Sequence, residues 1–148
     1  SNICNEVQEQ KLGQAWRVCN NLGGTTEDGE AESKEYIESP YSHRSFVDYK
    51  DNLYSIKNTL YGTRDVNATS PAANSIMSLL SSLNYPDLSK LQNALTAALK
   101  SLDDATAAQG YFKANPGSAA VKNAIDKIKD LDDELKKAGT WINLQKAQ

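Results

Sequence analysis

The residues best placed to do chemistry lie between Glu38 and Gly62, in ESPYSHRSFVDYKDNLYSIKNTLYG. This stretch holds the only histidine, His43, among hydroxyls at Ser39, Tyr41, Ser42 and Ser45. Ser42 or Ser45, His43 and Asp48 can be drawn as a Ser–His–Asp set. Neighbouring positions on a helix do not face each other, so the set is poorly arranged. Three-residue spacing does share a helix face. Ser39, Ser42, Ser45 and Asp48, with Glu38, therefore form a stripe of hydroxyls and carboxylates at a helix N-terminus. Its simplest role is capping, because the first backbone N–H groups of a helix need acceptors. One or two serines suffice for that, which leaves the rest for a polar ligand or a contacting domain.

Other chemistry is sparse. The sequence contains no His-Glu-x-x-His, no cysteine pair at metal spacing, no P-loop, no G-x-G-x-x-G and no G-x-S-x-G. With one histidine, any metal site must be mostly carboxylate or be completed from elsewhere. Six acids and one lysine fall between Gly23 and Glu38. Such a loop could offer oxygen ligands to a cation, but it lacks the Asp-x-Asp-x-Asp-Gly pattern, and a solvated acidic loop is the simpler reading. Cys4 and Cys19 are expected on one helix, about 22 Å apart along its axis. That distance forbids a disulfide and suggests small apolar residues, with Cys4 exposed near the start. The Asn67-Ala-Thr69 sequon is given no role.

The elements that must position these groups are helical. At 148 residues, with 39% hydrophobic side chains and a mean hydropathy of -0.60, the chain suits one domain with long amphipathic helices. The net charge of -3, with basic residues scattered among acids, argues against nucleic acid. No apolar run is long enough to span a membrane, and the polar SNICNEV start reads as lacking a signal peptide or having lost one. A first helix is expected over 2–22, facing inward with Ile3, Val7, Ala15, Trp16, Cys19 and Leu22 and stopped by Gly23-Gly24. A second starts near Ser39–Ser42 and carries a heptad seam, Phe46, Tyr49, Leu53, Ile56 and Leu60, to Gly62. A short helix follows from Ser70-Pro71 to about Asn84, with Ile76, Leu79, Leu80 and Leu83 inward. A long one opens at Pro86-Asp87, carries Leu88, Leu91, Leu95, Ala98, Leu102 and Ala105, and closes near Gly110. Asn115-Pro116-Gly117 is a turn, and Ser118 caps a last helix lined by Val121, Ala124, Ile125, Ile128, Leu131, Leu135, Ala138 and Ile142. Asp132 and Asp133, each four residues before a lysine, predict a solvated face in that helix, and Gly139 is expected to end or loosen it before Trp141. The sum is an all-α, antiparallel, up-and-down four-helix-type bundle with one extra short helix, a single domain over 1–148.

Glu38-Ser39-x-Tyr41-Ser42-x-x-Ser45-x-x-Asp48-x-x-x-Asn52, continuing through Ser55-Ile56-x-Asn58 to Tyr61-Gly62, resembles the second sequence block of the imelysin family, the peptidase M75 group. A short helix and then a Pro-Asp-Leu start to a long helix agree in layout. The resemblance implies an all-helical bacterial cell-envelope protein, periplasmic or a lipoprotein, tied to iron uptake, with two bundle-like halves. The family's Gly-x-His-x-x-Glu is absent; at His43 the glycine position holds Tyr41 and the glutamate position Phe46. The chain is thus like the C-terminal half alone, and no catalytic residue carries over. What carries over is Glu38, Ser39, Ser42, Ser45, Asp48 and Asn52, as one half of a ligand or domain-interface site. The implied partner is a preceding imelysin-like domain or an envelope protein, and a metal ion is the one conceivable cofactor. The alternatives are half of a metallopeptidase whose signature lies outside the chain, and a plain helical scaffold.

Overall fold

A computed structural model describes residues 2–33, 35, 37 and 41–146. The first helical element is continuous but changes character along its length. It runs as α1 (Asn2–Asn5), an eight-residue π-helical stretch (Glu6–Gly13) and α2 (Gln14–Cys19). Then come α3 (Ser45–Tyr61), the short α4 (Ile76–Ser82), α5 (Leu88–Gln109), a 3₁₀ turn (Phe112–Ala114) and α6 (Ala119–Lys146). Among the described residues there is no strand, only an isolated antiparallel bridge between Thr25 and Ala31. The expected all-α bundle, four long helical elements and one short, is what the chain forms.

The heptad seams built it. Phe46, Tyr49, Leu53, Ile56 and Leu60 of α3 are buried, as are Leu91, Leu95, Ala98, Leu102 and Ala105 of α5. Val121, Ala124, Ile128, Leu131 and Ala138 of α6 complete the interior, while Ile125, Leu135 and Ile142 pack at its edge. The short connection folds α6 back along α5, the most extensive pairing in the bundle. Ser118 caps α6 as expected, its hydroxyl accepting the Val121 N–H at 3.1 Å. The same hydroxyl donates to Gln109 Oε1 at 2.6 Å. Gln109 Nε2 in turn donates to the carbonyls of Tyr111, Phe112 and Asn115. α3 is tied to α5 by Lys50 and Asp103 at 2.6 Å. That hydrogen bond raises the Lys50 ammonium above its ordinary value against the opposing effect of burial.

Several local expectations fail. The inward face of the first helix is Cys4, Val7, Gln8, Leu12 and Ala15, not Ile3, Cys19 and Leu22, which are exposed. The π stretch bonds i to i+5, so its buried residues include the five-residue step from Val7 to Leu12, which a 3.6-residue period does not anticipate. Cys4 is therefore buried and Cys19 exposed, and both are free thiols. Helix termination falls earlier than Gly23: Asn21 takes the left-handed conformation at φ 57, and the Leu22 N–H closes back on the Arg17 carbonyl at 2.8 Å. α4 starts at Ile76 rather than after Ser70, capped by Ser75, whose hydroxyl accepts the Ser78 N–H at 3.1 Å. It buries Met77 and Leu80, and Ile76, Leu79 and Leu83 are exposed. Finally, Asp132 is buried beside Lys136, at 2.6 Å. Its burial would raise the carboxyl, but hydrogen bonding that includes Lys136 holds it below its ordinary value. Asp133 pairs with Lys129, not Lys137, which pairs with Glu134. α6 runs through Gly139 to Lys146.

Candidate functional site

α3 begins at Ser45, not at Ser39–Ser42, and that boundary reshapes the polar stripe. Residues 41–43 form a turn in which His43 has φ 56, a conformation that interrupts a helix. The turn is held from outside α3. The His43 ring lies flat on Tyr111, centroids 4.0 Å apart and planes 8° from parallel. Lys113 sits 5.6 Å from the Tyr41 ring. These contacts fasten the entry of α3 to the connection between α5 and α6, where Phe112 also meets Phe46 and Tyr49.

The candidate residues consequently separate. Ser45, Asp48 and Asn52 remain on one side of α3 at helical spacing. Ser42 precedes the helix and is exposed on the turn. Ser45 is only 2% exposed, so it faces the bundle rather than solvent. Asp48 and Asn52 are half-buried. Asp48 lies 3.9 Å from Arg44, and the Asn52 carbonyl accepts the Ser55 hydroxyl at 2.6 Å. Ser42, Ser45 and Asp48 each hold further contacts and none is free. Glu38 and Ser39 lie outside the described residues. His43, stacked on Tyr111, is a packing residue of this corner.

The described part of the acidic segment is mostly exposed, as expected, but Glu32 anchors it. It folds over the first helical element around Arg17, which the sequence reading passed over. Arg17 Nε donates to both carboxylate oxygens of Glu32 at 3.0 Å, and Nη2 also bonds Glu32. Nη1 reaches the Glu9 carboxylate at 3.1 Å and Nη2 the Glu9 carbonyl at 3.0 Å, inside the π stretch. Glu32 further accepts the Gly24 N–H at 3.0 Å, and its side chain is 8% exposed. The hydrogen bond from Arg17 pulls the Glu32 carboxyl below its ordinary value, burial opposes it, and the Gly24 N–H adds to the lowering. Between helix and loop lies an open cleft of about 530 Å³, walled by Glu9, Gln10, Gln14 and Arg17 on one side and residues 25–33 on the other. One arginine in the first helix and a loop of excess negative charge were the signals available in the sequence.

A metal does not fit the residues described. Among them no three of His, Cys, Asp and Glu come together in a group able to hold an ion, and the carboxylates of Glu9 and Glu32 are taken by Arg17.

No curated protein matches the chain. Two solved structures do. One is an imelysin peptidase from Bacteroides ovatus, 28% identical over 91% of this chain and 35% of its own, with a TM-score of 0.74. The other is a putative iron-regulated protein A precursor from Parabacteroides distasonis, 27% identical over 94% of this chain and 37% of its own, with a TM-score of 0.77. The chain thus spans little more than a third of either. The profile of imelysin, peptidase M75, matches residues 1–138, and with the bundle shared at that level the chain belongs to the imelysin family.

Proposed function

We propose that this chain is a binding or interaction module of the bacterial cell envelope, linked to iron uptake, and that its α3 entry contributes half of a site at an inter-domain surface. Glu38, Ser39, Ser42, Ser45, Asp48 and Asn52 are the residues assigned to it. The observation that carries the reading is coverage: nearly all of this bundle aligns to relatives about two and a half times as long. In such relatives the bundle has a neighbour to face. The naming of one relative as an iron-regulated protein precursor supports the iron link and an exported, periplasmic or lipid-anchored location. Ser45 enters this site through its position under the turn, and Ser42, Asp48 and Asn52 supply the reachable polar groups.

The deciding experiment is photo-crosslinking in the producing cell, with a reactive side chain at Ser42 or Asn52. Discrete adducts to an imelysin-like segment or one envelope protein are expected from both positions and not from Lys129 on α6. No adduct from either position would leave the chain a plain helical scaffold. A second reading, half of a metallopeptidase, is favoured by the other relative being an imelysin peptidase. It requires chelator-sensitive peptide cleavage that disappears with Asp48→Ala; the binding-module reading requires that the chain alone cleave nothing.

A further inference from the structure

The turn that leads into α3 holds a residue in backbone it would rarely take alone. His43 sits at φ 56, and a non-glycine residue keeps left-handed backbone where its surroundings impose it. Arg44, at the N-cap position of α3, provides no side-chain cap. Two anchors come instead from the α5–α6 connection. Tyr41 meets Lys113 at 5.6 Å, and His43 lies on Tyr111 at 4.0 Å. Ser42 therefore stands between two fastened neighbours. The anchors are unequal. Tyr41 is 93% exposed, and a cation–π contact is weak in water; the parallel His43–Tyr111 stack is the stronger hold. Tyr111 is a firm support for it. The carbonyls of Tyr111 and Phe112 accept Gln109 Nε2 at 3.2 and 3.3 Å. Phe112, fully buried, lies against Phe46 and Tyr49 of α3.

We infer that Tyr111 is a positioning residue of the α3-entry site: its ring clamps His43 and thereby fixes Ser42 relative to Asp48 and Asn52. The inference rests on the inter-domain site proposed above for its functional meaning, and on the ring geometry alone for the clamp. Asp48 and Asn52 are placed by α3 itself, whereas Ser42 lies ahead of the helix, on the turn. Without the ring, residues 41–43 sample other conformations while Asp48 and Asn52 stay where they are. One aromatic pair shifts such a population by about two- to tenfold.

The test is the distance distribution between spin labels at Ser42→Cys and Asn52→Cys, in the intact chain with the exposed Cys19 removed by Cys19→Ser. A single narrow distribution is expected with Tyr111 and with Tyr111→Phe, which keeps the ring. Tyr111→Leu should broaden it and leave the thermal melt close to that of the parent. His43→Gly suits the positive φ but lacks the imidazole; it should broaden the distribution equally, and it judges the clamp if the leucine variant does not fold. A distribution that stays narrow when either ring is lost overturns the inference, and so does one that Tyr111→Phe broadens as much as Tyr111→Leu. In the crosslinking experiment, the Ser42 adduct relative to the Asn52 adduct should fall about two- to tenfold in Tyr111→Leu. An unchanged ratio would also overturn it. Absence of any adduct from the unsubstituted chain would count against the inter-domain reading alone, and the label distances would still decide the clamp.

Discussion

Gly13 illustrates how a single position can reverse a general rule. In an α-helix interior, replacing Gly by Ala stabilises by about 1 kcal/mol. Here a Cβ on Gly13 would stand 2.5 Å from the Gln8 carbonyl oxygen and 2.8 Å from Arg17 Nη1. The first contact is backbone and cannot swing aside. Gly13→Ala is expected to cost about 1–3 kcal/mol, as overpacking does, in chemical denaturation. Glu32 makes a second residue-scale prediction. Glu32→Gln removes the charge from a hydrogen-bonded pair and should cost about 1–3 kcal/mol. Its folded-state carboxyl is held below the ordinary 4.5, so the stabilisation is complete above that value and lost as pH falls through the lower folded one. The difference in melting temperature between wild type and Glu32→Gln should therefore be constant near neutrality and shrink in acid below about pH 4. A difference that grew in acid would contradict the Arg17–Glu32 assignment. The polar stripe belongs to the same scale. Its residue types were legible, but its geometry was not, because His43 leaves helical conformation to stack on a tyrosine 68 positions away.

At the scale of elements, the seams of α3, α5 and α6 were readable because packing follows their period directly. What escaped were the ends. α3 and α4 begin later than their Ser-Pro signals suggest; α4 waits for Ser75 to supply the cap, and α3 for the turn at His43. Period also failed along the first element, whose type changes at Glu6–Gly13: Val7 and Ala15 are buried as expected, but Gln8 and Leu12 join them while Ile3, Cys19 and Leu22 are exposed. Ser118 is the cap that the sequence announced most clearly, and it works across elements. Its loss removes the acceptor for Val121 N–H and the donor to Gln109 Oε1 together. Ser118→Ala should thus cost about 1–2 kcal/mol, toward the upper part of the range for N-caps. Gln109→Ala in the Ser118→Ala background should add less than it does alone, since the two share one network.

For the whole molecule, the bundle has a firm part and a loosely attached one. α5 and α6 share the most extensive interface, lined by Leu91, Leu95, Ala98, Leu102, Val121, Ala124, Ile128 and Leu131. Residues 22–33 are mostly exposed and held chiefly through Glu32. Amide exchange should follow this division, slowest in α5 and α6 and fastest in the acidic segment. Glu32→Gln should accelerate exchange at Gly24, whose N–H loses a charged acceptor, and leave α5 and α6 unchanged. Equal acceleration everywhere would mean that the loop and the bundle open as one unit. The family was legible from a fifth of the sequence because the residues from Glu38 to Gly62 resemble an imelysin sequence block, and the family match extends over residues 1–138. The Arg17 cleft was not, because it depends on a loop folding back over a helix whose register is itself unusual.

That unusual register has a consequence for how the gene can vary. A π segment holds more residues per turn than the α-helix around it, so Glu6–Gly13 stores slack in chain length. Losing one codon there, Gln10 for instance, would let the segment relax toward α geometry. Trp16 and Arg17 would then keep their places against Lys122 and Glu32. A one-codon loss inside α5, by contrast, would rotate every later seam residue off the core. Length variation within the helices of this bundle should accordingly be tolerated at its first element and nowhere along α5.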